Sequence, residues 1–327
     1  MWKQVITFAA ISVGISASIA LGLILSQRPV TDLPEGPMSF GDVATAPRLA
    51  SAQLVKDTAR DGATLTAWHV PARVENAPLL VLVHGSGWHG SQFDQLASQL
   101  DGIAEVLAVN LRGHFNGPGT RGDVDYLGQL EDDLADVIKA RRQDGQKVVL
   151  AGHSSGGGLV VRFAGGAHRD LIDAAVLMAP FLKYNAPTTR ENSGGWAHVL
   201  TRRVIGLSML NMARINVLDH LTVIQFAMPA EIRNGPKGHE ATLAYSWRLN
   251  QSFAPRADYL ADVAKLPDFL LLVGSEDESF VAEGYEPLMT EVTQNGTYVV
   301  VDGANHLGVV HADETVARLR GFLENVR

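Results

Sequence analysis

Ser154 stands between glycines in Gly152-His153-Ser154-Ser155-Gly156, an arrangement that suits a nucleophilic hydroxyl. Gly-x-Ser-x-Gly is short and common by chance, so its context decides. An apolar run, Lys147–Ala151, leads in as a strand, and an apolar helix leads out from Leu159. A strand-to-helix turn of this kind forces the serine into a strained backbone and presents its Oγ at the sheet edge. The competing reading, a flexible glycine turn or a phosphate cradle, lacks the Gly-Lys-Ser/Thr spacing that the cradle needs.

A hydroxyl becomes a good nucleophile only when a neutral imidazole takes its proton. Eleven histidines are present. His306 is the candidate base, because it follows a predicted strand through Asp302-Gly303-Ala304-Asn305; His311, five residues on, is the local competitor. His153 adjoins the serine and is expected to point away from it. The imidazole in turn needs an acid in a loop after another strand. Gly274-Ser275-Glu276-Asp277-Glu278 offers three carboxylates there. Two backbone donors are expected for the developing oxyanion: Ser155 N–H at the helix start, and Ser86 N–H from His84-Gly85-Ser86-Gly87.

The elements that must hold these groups alternate. Strands are predicted at Gln53–Asp57, Thr64–Val70, Leu79–Val83, Glu105–Val109, Lys147–Ala151, Ala174–Met178, Phe269–Val273 and Thr297–Val301. Helices are predicted at Gln92–Leu100, through Leu127, Leu130, Leu134, Val137 and Ile138, from Leu159, at Ala282–Val292 and from Asp313. The pattern is α/β, a mostly parallel sheet with helices on both faces. It breaks over about 182–255, which reads as a cap inserted in a domain spanning 51–327. Tyr184, Trp196 and Trp247 are its candidate substrate contacts.

The run Val5–Leu25 has no charge, and roughly 30 Å of helix at about 1.5 Å per residue matches a hydrocarbon core. Residues 1–28 are therefore expected to be a membrane anchor or signal segment, with the catalytic body outside the cytoplasm. The proline-rich residues 29–50 read as a linker. A net charge of −8 with no long basic run argues against a nucleic-acid partner. With no cysteine, a thiol nucleophile, a disulfide framework and a Cys-ligated zinc are all excluded.

With Ser154, a carboxylate near 277 and His306 in that chain order, the sequence resembles the α/β-hydrolase superfamily from about Gln53 onward. The matching segments are Leu-Val-His-Gly-Ser-Gly at 82–87, Asn-Leu-Arg-Gly-His at 110–114, Gly-His-Ser-Ser-Gly at 152–156, Gly-Ser-Glu-Asp at 274–277 and Gly-Ala-Asn-His at 303–306. The family's spacing selects Asp277 over Glu276 and Glu278 as the acid, and its His-Gly-x loop likewise puts an oxyanion donor on Ser86. It looks most like esterases and lysophospholipase-like enzymes of the serine aminopeptidase grouping. A serine nucleophile departs from haloalkane dehalogenases and epoxide hydrolases. The 84–87 loop is neither His-Gly-Gly-Pro-Gly nor His-Gly-Gly-Gly, which departs from proline iminopeptidases and the hormone-sensitive lipase group.

The resemblance implies a cofactor-free serine hydrolase acting on a short- or medium-chain ester or a monoacyl lipid. A perhydrolase or haloperoxidase, an amidase and a thioesterase would use the same groups. A membrane-tethered binding protein would be expected to have lost one of them.

Overall fold

The computed structural model describes residues 2–41, 43, 51–100 and 102–327. The first helix, α1 (Trp2–Leu25), is long and apolar enough to cross a membrane by length and composition, with a mean hydropathy of 2.2 over its best window. The chain then runs without regular secondary structure, through a turn and two bends, to Phe40. Residues 29–41, expected as a linker, lie on the body rather than free of it. Met38 and Phe40 are 4% and 2% exposed, and the Phe40 ring stacks on Trp196 at 5.2 Å. Proline-rich chain has no period, so its two buried anchors leave no sequence pattern. The remainder of the expected linker, 42 and 44–50, lies outside the described residues, as does Met1.

Strands β1 (Gln53–Thr58) and β2 (Thr64–Val70) form a hairpin through Asp61-Gly62, where Gly62 takes a φ of 84°. Then follow β3 (Leu79–Val83), α2 (Asp94–Gln99), β4 (Glu105–Asn110), α3 (Gln129–Arg141), β5 (Val148–His153), α4 (Ser155–Gly165) and β6 (Ala174–Met178). The insertion comes next, with β7 (Ala197–Val199), α5 (Thr201–Met212), β8 (Thr222–Phe226), α6 (Ala230–Arg233), β9 (Ala244–Ser246) and α7 (Trp247–Phe253). The chain closes with α8 (Tyr259–Val263), β10 (Asp268–Gly274), α9 (Tyr285–Met289), β11 (Gly296–Val301) and α10 (Asp313–Val326).

Eight strands make one sheet in the order β1-β2-β4-β3-β5-β6-β10-β11, parallel from β4 to β11. Every residue of β3, β5 and β6 is buried, because helices cover both faces of their continuous apolar runs. Each such Leu or Val contributes about 1.5–3 kcal/mol by leaving water. The parallel direction aligns the carboxyl ends of β3, β5, β10 and β11 along one edge. β5 runs two residues past its expected end, to His153, and α4 begins at Ser155, four residues before its expected start. The serine is therefore the entire turn.

The insertion forms its own antiparallel sheet, β7-β8-β9. Strands of three to five residues are too short to show alternation, which is why no period is visible there. α1 lies against α5 in the opposite direction. Gln27 Oε1 accepts Arg202 N–H at 2.8 Å where α5 starts, while Ala20 and Ile24 bury against Leu207 and Leu210. Gly206 makes the crossing possible: a Cβ there would stand 2.5 Å from Ala20 O and 2.7 Å from Ile24.

Candidate active site

The turn after β5 holds Ser154 at φ 55°, ψ −122°, a region that L-residues rarely occupy. Three backbone bonds hold it there. Ser154 N–H donates to Met178 O at 2.9 Å, and Ser154 O accepts from Phe181 N–H at 2.9 Å and Gly158 N–H at 3.1 Å. The flanking glycines are obligatory for space, since a Cβ on Gly152 would collide with Gly156 O and one on Gly156 with Val83 O.

His306 and Asp277 meet across the loops after β11 and β10. His306 Nδ1 donates to Asp277 Oδ2 at 2.8 Å, and both side chains are almost fully buried. Asp277 Oδ1 accepts two further bonds, from Ser279 N–H and Phe280 N–H, each 2.8 Å. Burial works to raise the Asp277 pKa, but the facing imidazole and these donors outweigh it and hold the carboxyl below the usual aspartate range. Glu278 Oε2 accepts the His306 backbone N–H at 2.8 Å, and Glu276 is exposed. His311 lies half-buried past a short 3-10 turn and lines neither cavity described below.

Two adjoining cavities share Met38, Ser86, Ser154 and Trp196 in their walls. The larger, a cleft open to solvent, is bounded by Phe181, Ile224, Phe226, Phe253 and Phe280; the smaller contains His306. Ser86 N–H and Ser155 N–H meet no acceptor among the described residues. Of the three aromatic residues expected in the cap, Trp196 lines both cavities. Trp247 is buried on the far side against α1 and α5, and Tyr184 is 77% exposed.

Several contributors carry no sequence signal of their own. The loop bearing Ser86 is fastened to the insertion by three bonds. Trp196 Nε1–H donates to Ser86 Oγ at 3.1 Å, Tyr245 Oη accepts Gly87 N–H at 2.9 Å, and Thr242 N–H donates to Gly87 O at 2.9 Å. A second chain runs behind Ser154. Gly85 N–H donates to Gln92 Oε1, Gln92 Nε2 donates to His153 Nδ1 at 2.6 Å, and His153 Nε2–H donates to His306 O at 2.8 Å. His153 thus points away from the serine's hydroxyl and ties β5 to the His306 loop. Burial, with His306 nearby, pushes its pKa down to about 3, so it is neutral, as these bonds require. His114, also lowered to about 3 mainly by burial, accepts the Tyr245 hydroxyl at Nε2 while Nδ1–H donates to Arg112 O.

A profile of the alpha/beta hydrolase family matches residues 80–319. Among curated proteins, the chain is 27% identical over 236 residues to monoglyceride lipase of Homo sapiens, covering 70% of this chain and 75% of that one. It is 28% identical over 139 residues to the uncharacterized protein YfhR of Escherichia coli; that match covers 41% of this chain and spans about half (49%) of the relative. Among solved structures, a soluble variant of monoglyceride lipase from Saccharomyces cerevisiae in complex with a substrate analog superposes with a TM-score of 0.67 at 17% identity, covering 86% of this chain and 99% of that one. The eight-stranded sheet, the glycine-bracketed serine and the family match over most of its length agree, and the chain belongs to the alpha/beta hydrolase family.

Proposed function

We propose that this protein is a serine hydrolase of carboxylic esters, with Ser154 as nucleophile, His306 as base and Asp277 as the acid that orients it. The Asp277–His306 bond of 2.8 Å carries the reading. It fixes the proton on Nδ1 and leaves Nε2 free to accept, beside a cavity whose wall includes Ser154. As Ser154 Oγ bonds to the ester carbonyl carbon, its proton passes to His306 Nε2 and negative charge moves to the carbonyl oxygen. Ser86 N–H and Ser155 N–H receive that charge, each worth about 3 kcal/mol in the transition state. The alcohol departs with the proton from Nε2. His306 then deprotonates a water, which releases the acid and restores Ser154. Asp277 stays ionised throughout, in keeping with its lowered pKa.

The substrate in this reading carries one apolar acyl chain, a medium-chain ester or a monoacyl lipid, presented at a membrane that α1 enters. Support comes from the aromatic and aliphatic walls of the larger cleft, and from the monoglyceride lipases to which the chain is similar. A chromogenic ester panel of rising acyl length, with Ser154→Ala as blank, tests it. Each buried methylene is worth about 0.8 kcal/mol, so kcat/KM should climb about fourfold per carbon until the cleft is filled. A maximum at acetate with decline thereafter would refute the lipid assignment.

A further inference from the structure

α1 stands clear of the body only in part. Its docked face runs from Ala17 through Ala20 and Ile24 to Gln27, whereas among the described side chains of residues 2–16 none is buried. Those fifteen residues reach about 22 Å at 1.5 Å per residue. A hydrocarbon core is about 30 Å thick. If α1 spans a bilayer, the lipid must rise roughly 8 Å past Ser16, on those same two dimensions, to a level that the body also occupies.

The element at that level is the end of α5. Because α5 runs against α1, the chain beyond Leu210 heads towards the free end of the anchor. It turns over there and exposes three apolar side chains: Met212 at 87%, Ile215 at 43% and Val217 at 73%. Large apolar groups clustered at one tip are an unusual feature of a surface bathed in water. The charge at the tip has the matching sign. In a protein of net charge −8, Arg214 is the one charged residue of 211–218 and is exposed, while Asp219 beyond it is buried and accepts Asn211 Nδ2–H at 2.6 Å; a basic side chain among exposed apolar ones suits an anionic headgroup.

We propose that residues 212–217 are embedded at the headgroup–acyl boundary of a bilayer containing anionic phospholipid, beside α1. The inference rests on the reading of α1 as a membrane helix. The enzyme is then held at two points instead of swinging on a tether, and its cap faces lipid. β8 connects this surface to the site: Val223 packs into the α1–α5 cluster, and the next residue, Ile224, lines the larger cleft. β8 thus lies between the α1–α5 cluster and the larger cleft.

The chain has no cysteine, so single-cysteine labelling of the full-length protein has no background. Ile11→Cys, Met212→Cys, Val217→Cys and Asp144→Cys would each carry an environment-sensitive fluorophore in vesicles of phosphatidylcholine and phosphatidylglycerol. All four side chains are exposed, and Asp144 precedes β5, at the end of the sheet opposite the site. The proposal expects blue-shifted emission at 11, 212 and 217, quenched by lipid-borne nitroxides placed deep for 11 and shallow for 212 and 217, with 144 unquenched. Quenching at 11 with none at 212 and 217 would overturn the proposal and leave the anchor standing. No quenching at 11 would overturn the anchor reading, and the proposal with it. Independently, Met212→Asp combined with Val217→Asp should cut hydrolysis of a vesicle-borne ester by about fivefold or more, the equivalent of about 1 kcal/mol. Turnover of a soluble short-chain ester should be unchanged; an equal loss on both substrates would contradict the lipid role.

Discussion

Tyr245 and Gly87 are joined by a hydrogen bond of 2.9 Å from the Gly87 N–H to the phenol oxygen. The same hydroxyl gives its proton to His114 Nε2 at 2.6 Å. A residue of the three-stranded sheet thereby ties down the loop whose Ser86 lines the cleft. Tyr245→Phe removes both bonds while keeping the ring. It should lower kcat by about ten- to a hundredfold, less than deleting an oxyanion donor outright, with KM within about threefold. Steady-state kinetics on a soluble ester read this directly. A rise in KM at constant kcat would make Tyr245 a binding residue instead.

Asp277→Asn tests the orienting acid. The amide would accept where it now accepts, or donate where His306 Nδ1 also donates, and the wrong tautomer is then favoured. A fall in kcat of about 10³–10⁴-fold is expected, with folding retained. Turnover within a few-fold of the parent would transfer the role to another carboxylate, and Glu278, on the His306 backbone, would be the first to examine.

Stability should fall with acid well above the carboxylate range. His114 and His153 are held neutral down to about pH 3, and burial also pushes His84 well below its ordinary value of 6.5. The unfolded chain takes up these protons below about pH 6.5 and the folded chain does not, so stability is full above that pH and drains as pH falls towards 3. Each histidine contributes a slope of about 1.4 kcal/mol per pH unit in that window. Melting temperatures at about pH 7.5, 6.0 and 5.0 measure it across the range where free histidine titrates. A flat profile down to about pH 5.0 would mean that these rings are protonated in the folded protein.

Gly206→Ala places a methyl group against the Ala20 carbonyl, where only 2.5 Å is available. Overpacking of this kind costs about 1–3 kcal/mol. Because the contact joins α1 to α5, the loss should appear as faster protease cleavage between Ser26 and Gly41, with soluble-ester turnover retained. Unchanged cleavage would mean that α1 and α5 are not in contact in solution.

Much of this was legible in the sequence because the signals were local. The apolar runs of β3, β5 and β6 and the glycines around Ser154 report their own surroundings. His306 and the carboxylates near 277 could be read because loops at strand ends are short, and the choice of Asp277 among them leaned on the resemblance. What escaped depends on distant partners. Nothing about Tyr245 marks it as the acceptor for Gly87, and Gln92 gains its place only when β3, β5 and the His306 loop come together. Met38 and Phe40 lie in chain without a period, and Trp247 and Tyr184 look like Trp196 until the cap's two faces are known.

The most direct test of the central claim is covalent. Treated with a fluorophosphonate and analysed by intact mass and peptide mapping, the protein should gain one adduct, on Ser154, in step with loss of ester turnover; Ser154→Ala should gain none and retain no turnover above the His306→Ala background. An adduct on another residue, or ester hydrolysis by Ser154→Ala at the parent rate, would contradict it.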